Sequence, residues 1–192
     1  MDRVVAGSKP PSSLLLALEV RGIWELQAFF AAYPLLRTAP RGDGHPVLVL
    51  PGFMASDRST GPMRAYLKQQ GYAAHGWKQG PNHGPRPGVE DGMMARLEDL
   101  AGRYGRKVSL VGWSLGGVYA RELARRQPAL VRQVITLGSP FANEPKASNA
   151  WRLYETMSGR QVDDWPEREV MKTPPPVPST AIYTRTDGIV AW

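Results

Sequence analysis

A serine held between a strand and a helix, with no loop on either side, constrains this chain more than any other feature. Val108 to Val111 reads as a short buried strand, Gly112-Trp113-Ser114-Leu115-Gly116-Gly117 follows at once, and a helical stretch over residues 115–126 is ended by Gln127-Pro128. A turn that tight pushes its central residue into strained backbone, and the flanking glycines remove side chains that would collide there. The hydroxyl of Ser114 is then exposed beyond the carboxyl end of the strand, with a helix amino terminus behind it that favours negative charge. The bland reading of the same residue is a helix cap.

The remaining pattern repeats the unit. Val47-Leu48-Val49-Leu50 is a continuous apolar run bounded by turn residues, as a strand buried on both faces would be. Val131 to Leu137 and Ala181-Ile182-Tyr183 read as further strands, and Tyr72 to Trp77 as another. Between them lie a helix from about Pro62 to Gln70, with Thr60 as its cap, and a longer one in which Val89, Met93, Leu97, Leu100 and Tyr104 share one face before Gly105. Strands alternating with helices imply an α/β fold with a mainly parallel sheet and active groups beyond the carboxyl ends of the strands.

At 192 residues the chain has the size of one domain. Residues 1–44 read as a lead-in and a helix capped by Ser12 or Ser13 and running to about Tyr33; residues 45–192 form the core, with 141–178 as a polar, Pro-rich candidate lid or cap. The helix is rich in Leu, Phe and Trp, so it either packs on the domain or makes weak contact with a membrane surface through residues 13–33. With 24 Lys and Arg against 17 Asp and Glu the chain is basic, but its cations are scattered, so a solvated surface is expected and no nucleic-acid partner. The absence of cysteine excludes disulfides, zinc-thiolate sites and a cysteine nucleophile. Neither a signal peptide nor a transmembrane span is legible, which sets a cytoplasmic location as the expectation. No metal or cofactor is expected.

If Ser114 attacks a carbonyl, the tetrahedral intermediate needs two N–H donors for its oxyanion. Leu115, directly after the serine, supplies one. Phe53, in the loop Pro51-Gly52-Phe53-Met54 after the first core strand, is the choice for the other, although Pro51-Gly52 alone would be an ordinary turn. His45 to Phe53, Ser109 to Gly117, Val134 to Phe141 and Ala181 to Gly188 together resemble an α/β-hydrolase of the lipase and esterase type, over about residues 45–192. That resemblance implies Ser114 as nucleophile, Phe53 and Leu115 as oxyanion donors, and Asp187 as the acid that orients a histidine. Asp163 and Asp164 are the alternatives to Asp187, whose Asp-Gly pair is also a common turn. The resemblance further implies a small-molecule or lipid ester substrate, with Trp151, Tyr154 and Trp165 lining an acyl pocket or, equally, belonging to the core.

One part of the family pattern is missing. The triad order is serine, acid, histidine, yet only Gly188 to Trp192 follow Asp187. His45 sits about 15 Å from the carboxyl end of its strand, His75 belongs to a strand, and His83 alone lies in a loop on the right side; all three are expected at the surface or in turns. The expectation is therefore a serine hydrolase lacking its last strand and histidine loop, inactive or weakly active by itself. An acyltransferase or thioesterase on the same fold, and a non-catalytic membrane-binding module, are the rival readings.

Overall fold

A computed structural model of the chain describes residues 9–141, 148–159 and 173–191. Five strands form one sheet: β1 (Pro46–Leu50), β2 (Ala73–Gly76), β3 (Val108–Trp113), β4 (Val131–Leu137) and β5 (Ser179–Ile182). Their order is β2-β1-β3-β4-β5, and every neighbouring pair is parallel. The α/β expectation holds, and the serine-bearing β3 occupies the centre of the sheet.

Alternation along β1 builds both layers. Leu48 and Leu50 face the helices α4 (Val89–Tyr104) and α5 (Leu115–Arg126), where Trp77, Leu97, Leu100, Leu110 and Leu123 complete the larger core. Val47 and Val49 face the other way, toward Met63 and Leu67 of α3 (Gly61–Gln69). The single helical face read for α4 is the buried one, and Gly105 ends it in left-handed backbone at φ 59°. Thr60 precedes α3 but does not cap it through its side chain; its hydroxyl donates to the Asp57 carbonyl at 3.4 Å instead.

The amino-terminal helix departs from the expectation. It is two helices, α1 (Ser13–Ala17) and α2 (Gly22–Leu36), joined by a 3-10 turn over Leu18–Arg21. Ser12 does cap α1, its Oγ accepting from the Leu15 N–H at 3.3 Å. Neither helix contains a buried residue, and Val20, Trp24 and Leu35 are each about 70% exposed (71%, 69% and 73%). The arm is tied down at its carboxyl end and at the 3-10 turn in its middle. Tyr66 Oη and Gln70 Nε2 donate to the Leu36 carbonyl at 3.0 and 3.3 Å, while Arg21 donates to the Thr186 carbonyl at 2.6 Å and the Gly188 N–H donates to Glu19 at 2.7 Å. No helix among the described residues is long and apolar enough to cross a membrane. Within 141–178 the described residues hold a helix with no clear sequence signal, α6 (Trp151–Ser158); Asp163, Asp164 and Trp165 lie outside the described residues.

Candidate active site

Ser114 is one of three non-glycine residues with positive φ among those described, at φ 52° and ψ −121°. Such backbone costs on the order of 1–3 kcal/mol and persists only where its surroundings over-determine it. Here they do. The Ser114 N–H donates to the Leu137 carbonyl on β4 at 2.8 Å, and its own carbonyl accepts from Gly117 at 2.9 Å. Three glycines let α5 start flush against the sheet. A Cβ on Gly112 would stand 2.3 Å from the Gly116 carbonyl oxygen, one on Gly116 would stand 2.2 Å from that of Leu50, and one on Gly117 would meet Ser139 Oγ. The half-exposed Ser114 hydroxyl has no hydrogen-bond partner among the described residues.

The loop after β1 closes over the serine. A Cβ on Gly52 would lie 3.2 Å from both the Ser114 Cβ and the Trp113 carbonyl oxygen, so any larger residue would push this backbone and the turn apart by a few tenths of an ångström. The next residue is Phe53. Its N–H bonds to nothing among the described residues, although the neighbouring amides of Met54 and Ala55 are both paired. Leu115 N–H, the first amide of α5, is likewise one that the helix cannot pair. Ser114 is thus followed by one unpaired backbone donor, and the glycine that lies against it is followed by a second. Over Phe53 lies Tyr154 of α6, with ring centroids 5.5 Å apart. Tyr154 is buried in the larger core and Trp151 packs against it, so both aromatics are core residues.

Asp187 stands in the loop after β5. Its Oδ1 accepts from the Ile189 and Val190 amides at 2.8 and 2.9 Å, and its Oδ2 lies 3.0 Å from where a Cβ on Gly138 would be. Gly138 directly follows Leu137, the residue bonded to Ser114. Asp187 lines a cavity of about 270 Å³ with Ser139, Phe141, Ile182, Tyr183 and Val190. Beneath Phe141 lies the buried Arg121, its guanidinium carbon 3.9 Å from the ring centroid. Burial, and then the charge of Arg125, lower the pKa of Arg121 to about 10. No group of three or more His, Asp or Glu side chains among the described residues could hold a metal ion.

None of the three histidines reaches Ser114, and the surface placement expected of them is incorrect for His45 and His75. His45 is buried at the amino end of β1, its Nδ1 on Asp43 Oδ1 and its Nε2 2.8 Å from Ser109 Oγ. This is an aspartate–histidine–serine relay at the wrong end of β3, five residues from Ser114 and so about 17 Å away. Asp43 also accepts from Arg106 and Arg132 at 2.8 and 3.0 Å, and the hydrogen bond from His45 does most to hold its carboxyl well below the usual carboxylate range. His75 is half-buried with Nε2 2.9 Å from Tyr104 Oη; burial lowers its pKa, and nearby Arg96 and Lys68 add to the effect. His83 lies beside the Phe53 loop with its Nδ1 buried and unbonded.

Residues that the motif reading did not find hold this site together. Asp57 accepts from the Trp77 and Lys78 amides at 3.0 and 3.1 Å, tying the loop after β1 to the end of β2. Asn82 is fully buried and bonds that same loop. The family model described as the alpha/beta hydrolase family matches residues 47–191. Two similar proteins are serine hydrolase BPHL of Homo sapiens (28% identical) and of Mus musculus (26%), each over 66% of this chain. The match spans 45% of the length of either relative. Among solved structures, the lipase BlEst2 of Bacillus licheniformis is 20% identical over 76% of this chain and 36% of its own, with a TM-score of 0.49.

Proposed function

The chain belongs to the alpha/beta hydrolase family, and from that premise we propose that it is a serine hydrolase of carboxylic esters with Ser114 as nucleophile. The observation that carries this reading is the strained, unpaired serine, followed by the unpaired Leu115 amide and lying against Gly52, whose successor Phe53 also has an unpaired amide. The Ser114 oxygen attacks the ester carbonyl; the carbonyl oxygen takes the charge and is held by the two N–H groups. Collapse expels the alcohol and leaves an acyl-serine, which water then hydrolyses to the acid and free serine. The cavity beside Asp187, walled by Phe141, Ile182, Tyr183 and Val190, suits a small apolar acyl group. Asp187 is the acid that orients the base. No histidine among the described residues bonds to Ser114, so the proposal assigns the base to a residue outside this sequence. An acyltransferase or thioesterase would share every step up to the acyl-serine.

A fluorophosphonate probe followed by intact-mass spectrometry tests the assignment. One adduct is expected, on Ser114, formed slowly, because without the base the oxyanion donors and binding still leave roughly 10³–10⁴ over water in a serine protease. Labelling that survives Ser114→Ala would overturn the nucleophile. A rate matching that of complete serine hydrolases, lost in His83→Ala, would overturn the placing of the base.

A second reading, compatible with the first, is supported by the arm: large apolar side chains exposed along Ser13–Leu36 on a chain of formal charge +7. Such a surface suits an anionic lipid headgroup layer. The 192-residue chain should sediment with phosphatidylglycerol vesicles, less so at high salt, and Trp24→Glu should weaken this about tenfold. Equal binding by the variant would remove the arm from the proposal.

A further inference from the structure

We propose that Asn82 is a positioning residue that sets the Phe53 N–H as an oxyanion donor; this rests on the serine hydrolase reading above. The side chain is fully buried, and one side-chain bond and two backbone bonds of this residue converge on one short loop. Asn82 Nδ2 donates to the Pro51 carbonyl at 2.8 Å, the Met54 N–H donates to the Asn82 carbonyl at 2.7 Å, and the Asn82 N–H donates to the Ala55 carbonyl at 2.8 Å. Those three bonds bracket Gly52 and Phe53 from both sides. Within the bracket, the Ala55 N–H closes on the Gly52 carbonyl at 3.1 Å, and the Phe53 N–H has no acceptor among the described residues.

Strain gives the arrangement its purpose. Met54 holds φ 60°, a left-handed conformation for a half-exposed, unbranched side chain. Left alone, the loop would relax by turning the Phe53–Met54 peptide plane, and with it the adjoining Gly52–Phe53 plane, which carries the Phe53 N–H. Asn82 opposes that rotation by fixing the carbonyl before it and the amide after it. Asparagine suits the position because both ends of its amide are used: Nδ2 donates to Pro51, and Oδ1 accepts from the Gly84 N–H at 3.1 Å. An aspartate in its place would keep the second bond and set an oxygen against the Pro51 carbonyl instead of the first. His83, next in sequence, makes none of these contacts.

The test compares phosphonylation of the 192-residue chain with that of Asn82→Asp and Asn82→Ala over a range of probe concentrations. Slow reaction without a base is an advantage here, because the residual rate reports on the oxyanion donors. Losing one donor outright costs about 10²–10³, so a misaligned one should slow the limiting rate at least tenfold, with the half-saturating probe concentration unchanged. Tyr104→Phe, which breaks the bond to His75 away from the loop, serves as the stability control: it should lower Tm without changing the labelling rate. Asn82 variants that label at the parental rate would overturn the proposal and leave the nucleophile standing. Should the parent chain fail to label, the serine hydrolase reading falls, and the amide resonance of Phe53 decides the positioning role. A shift and faster hydrogen exchange at Phe53 in Asn82→Asp would support it; an unmoved resonance would overturn it.

Discussion

Gly116→Ala should cost more than about 3 kcal/mol of stability and abolish labelling of Ser114 in whatever protein remains folded. Overpacking a core usually costs about 1–3 kcal/mol because a neighbouring side chain can move aside. No such escape exists at Gly116. The new methyl would stand 2.2 Å from the Leu50 carbonyl oxygen and 2.7 Å from both the Leu50 carbonyl carbon and the Pro51 oxygen, so three backbone atoms would have to move. Those atoms belong to the end of β1 and to the loop that carries Phe53. Relief therefore comes only by driving α5 away from β1, which separates Ser114 and Leu115 from Phe53. Gly102→Ala on α4 is the matched control: nothing lies within 4 Å of its new methyl, so the helix should gain about 0.5–1 kcal/mol. Urea midpoints of the two variants should move in opposite directions. A Gly116→Ala protein as stable as its parent, and still labelled, would mean that α5 does not lie against β1 as described.

Much of this architecture is written locally in the chain. The central strands are legible because burial on both faces demands unbroken apolar runs such as Val47–Leu50, and α5 because a glycine turn starts it and Gln127-Pro128 stops it. The surroundings of Ser114 are legible for the same reason: glycines at 112, 116 and 117 are a local record of how closely strand and helix approach. What the sequence hides is held by partners far apart along it. Asn82 reaches back 31 residues to Pro51, and Asp57 reaches 20 residues forward to Trp77. A lone Asn or Asp in a Pro- and Gly-rich loop looks like turn chemistry, and nothing in its neighbours reveals the other end of the bond. The arm misleads differently. The Leu-, Phe- and Trp-rich stretch from Ser13 to about Tyr33 reads as one helix, yet the ties from Glu19 and Arg21 to the Asp187 loop fall on the 3-10 turn that breaks it, and Pro34 sits within α2 without ending it.

His45→Ala should cost about 2–3 kcal/mol of stability and leave the labelling rate of Ser114 unchanged. By type and contact alone Asp43, His45 and Ser109 form a catalytic-looking relay, and only position separates them from one. Ser109 is buried on β3 between β1 and β4 and also accepts from Gln133 Nε2 at 3.3 Å, so its hydroxyl is committed to joining strands. Removing the imidazole takes away the 2.8 Å bond to Ser109, the bond to Asp43 and an edge-on contact with the Tyr72 ring at 5.1 Å. Leaving a buried hydroxyl short of a partner costs about 1–3 kcal/mol, and the lost ring contact adds to it. The effect should depend on pH with a definite sign. The folded state holds the Asp43 carboxyl below its ordinary value, so the stabilisation it brings is complete above the unfolded pKa and is lost as pH falls below about 4. Melting curves of the parent and of His45→Ala should therefore be far apart at neutral pH and draw together in acid. If His45→Ala instead kept its stability and lost the Ser114 adduct, the histidine at the amino end of β1 would belong to the chemistry after all, and the base would need no source outside this sequence.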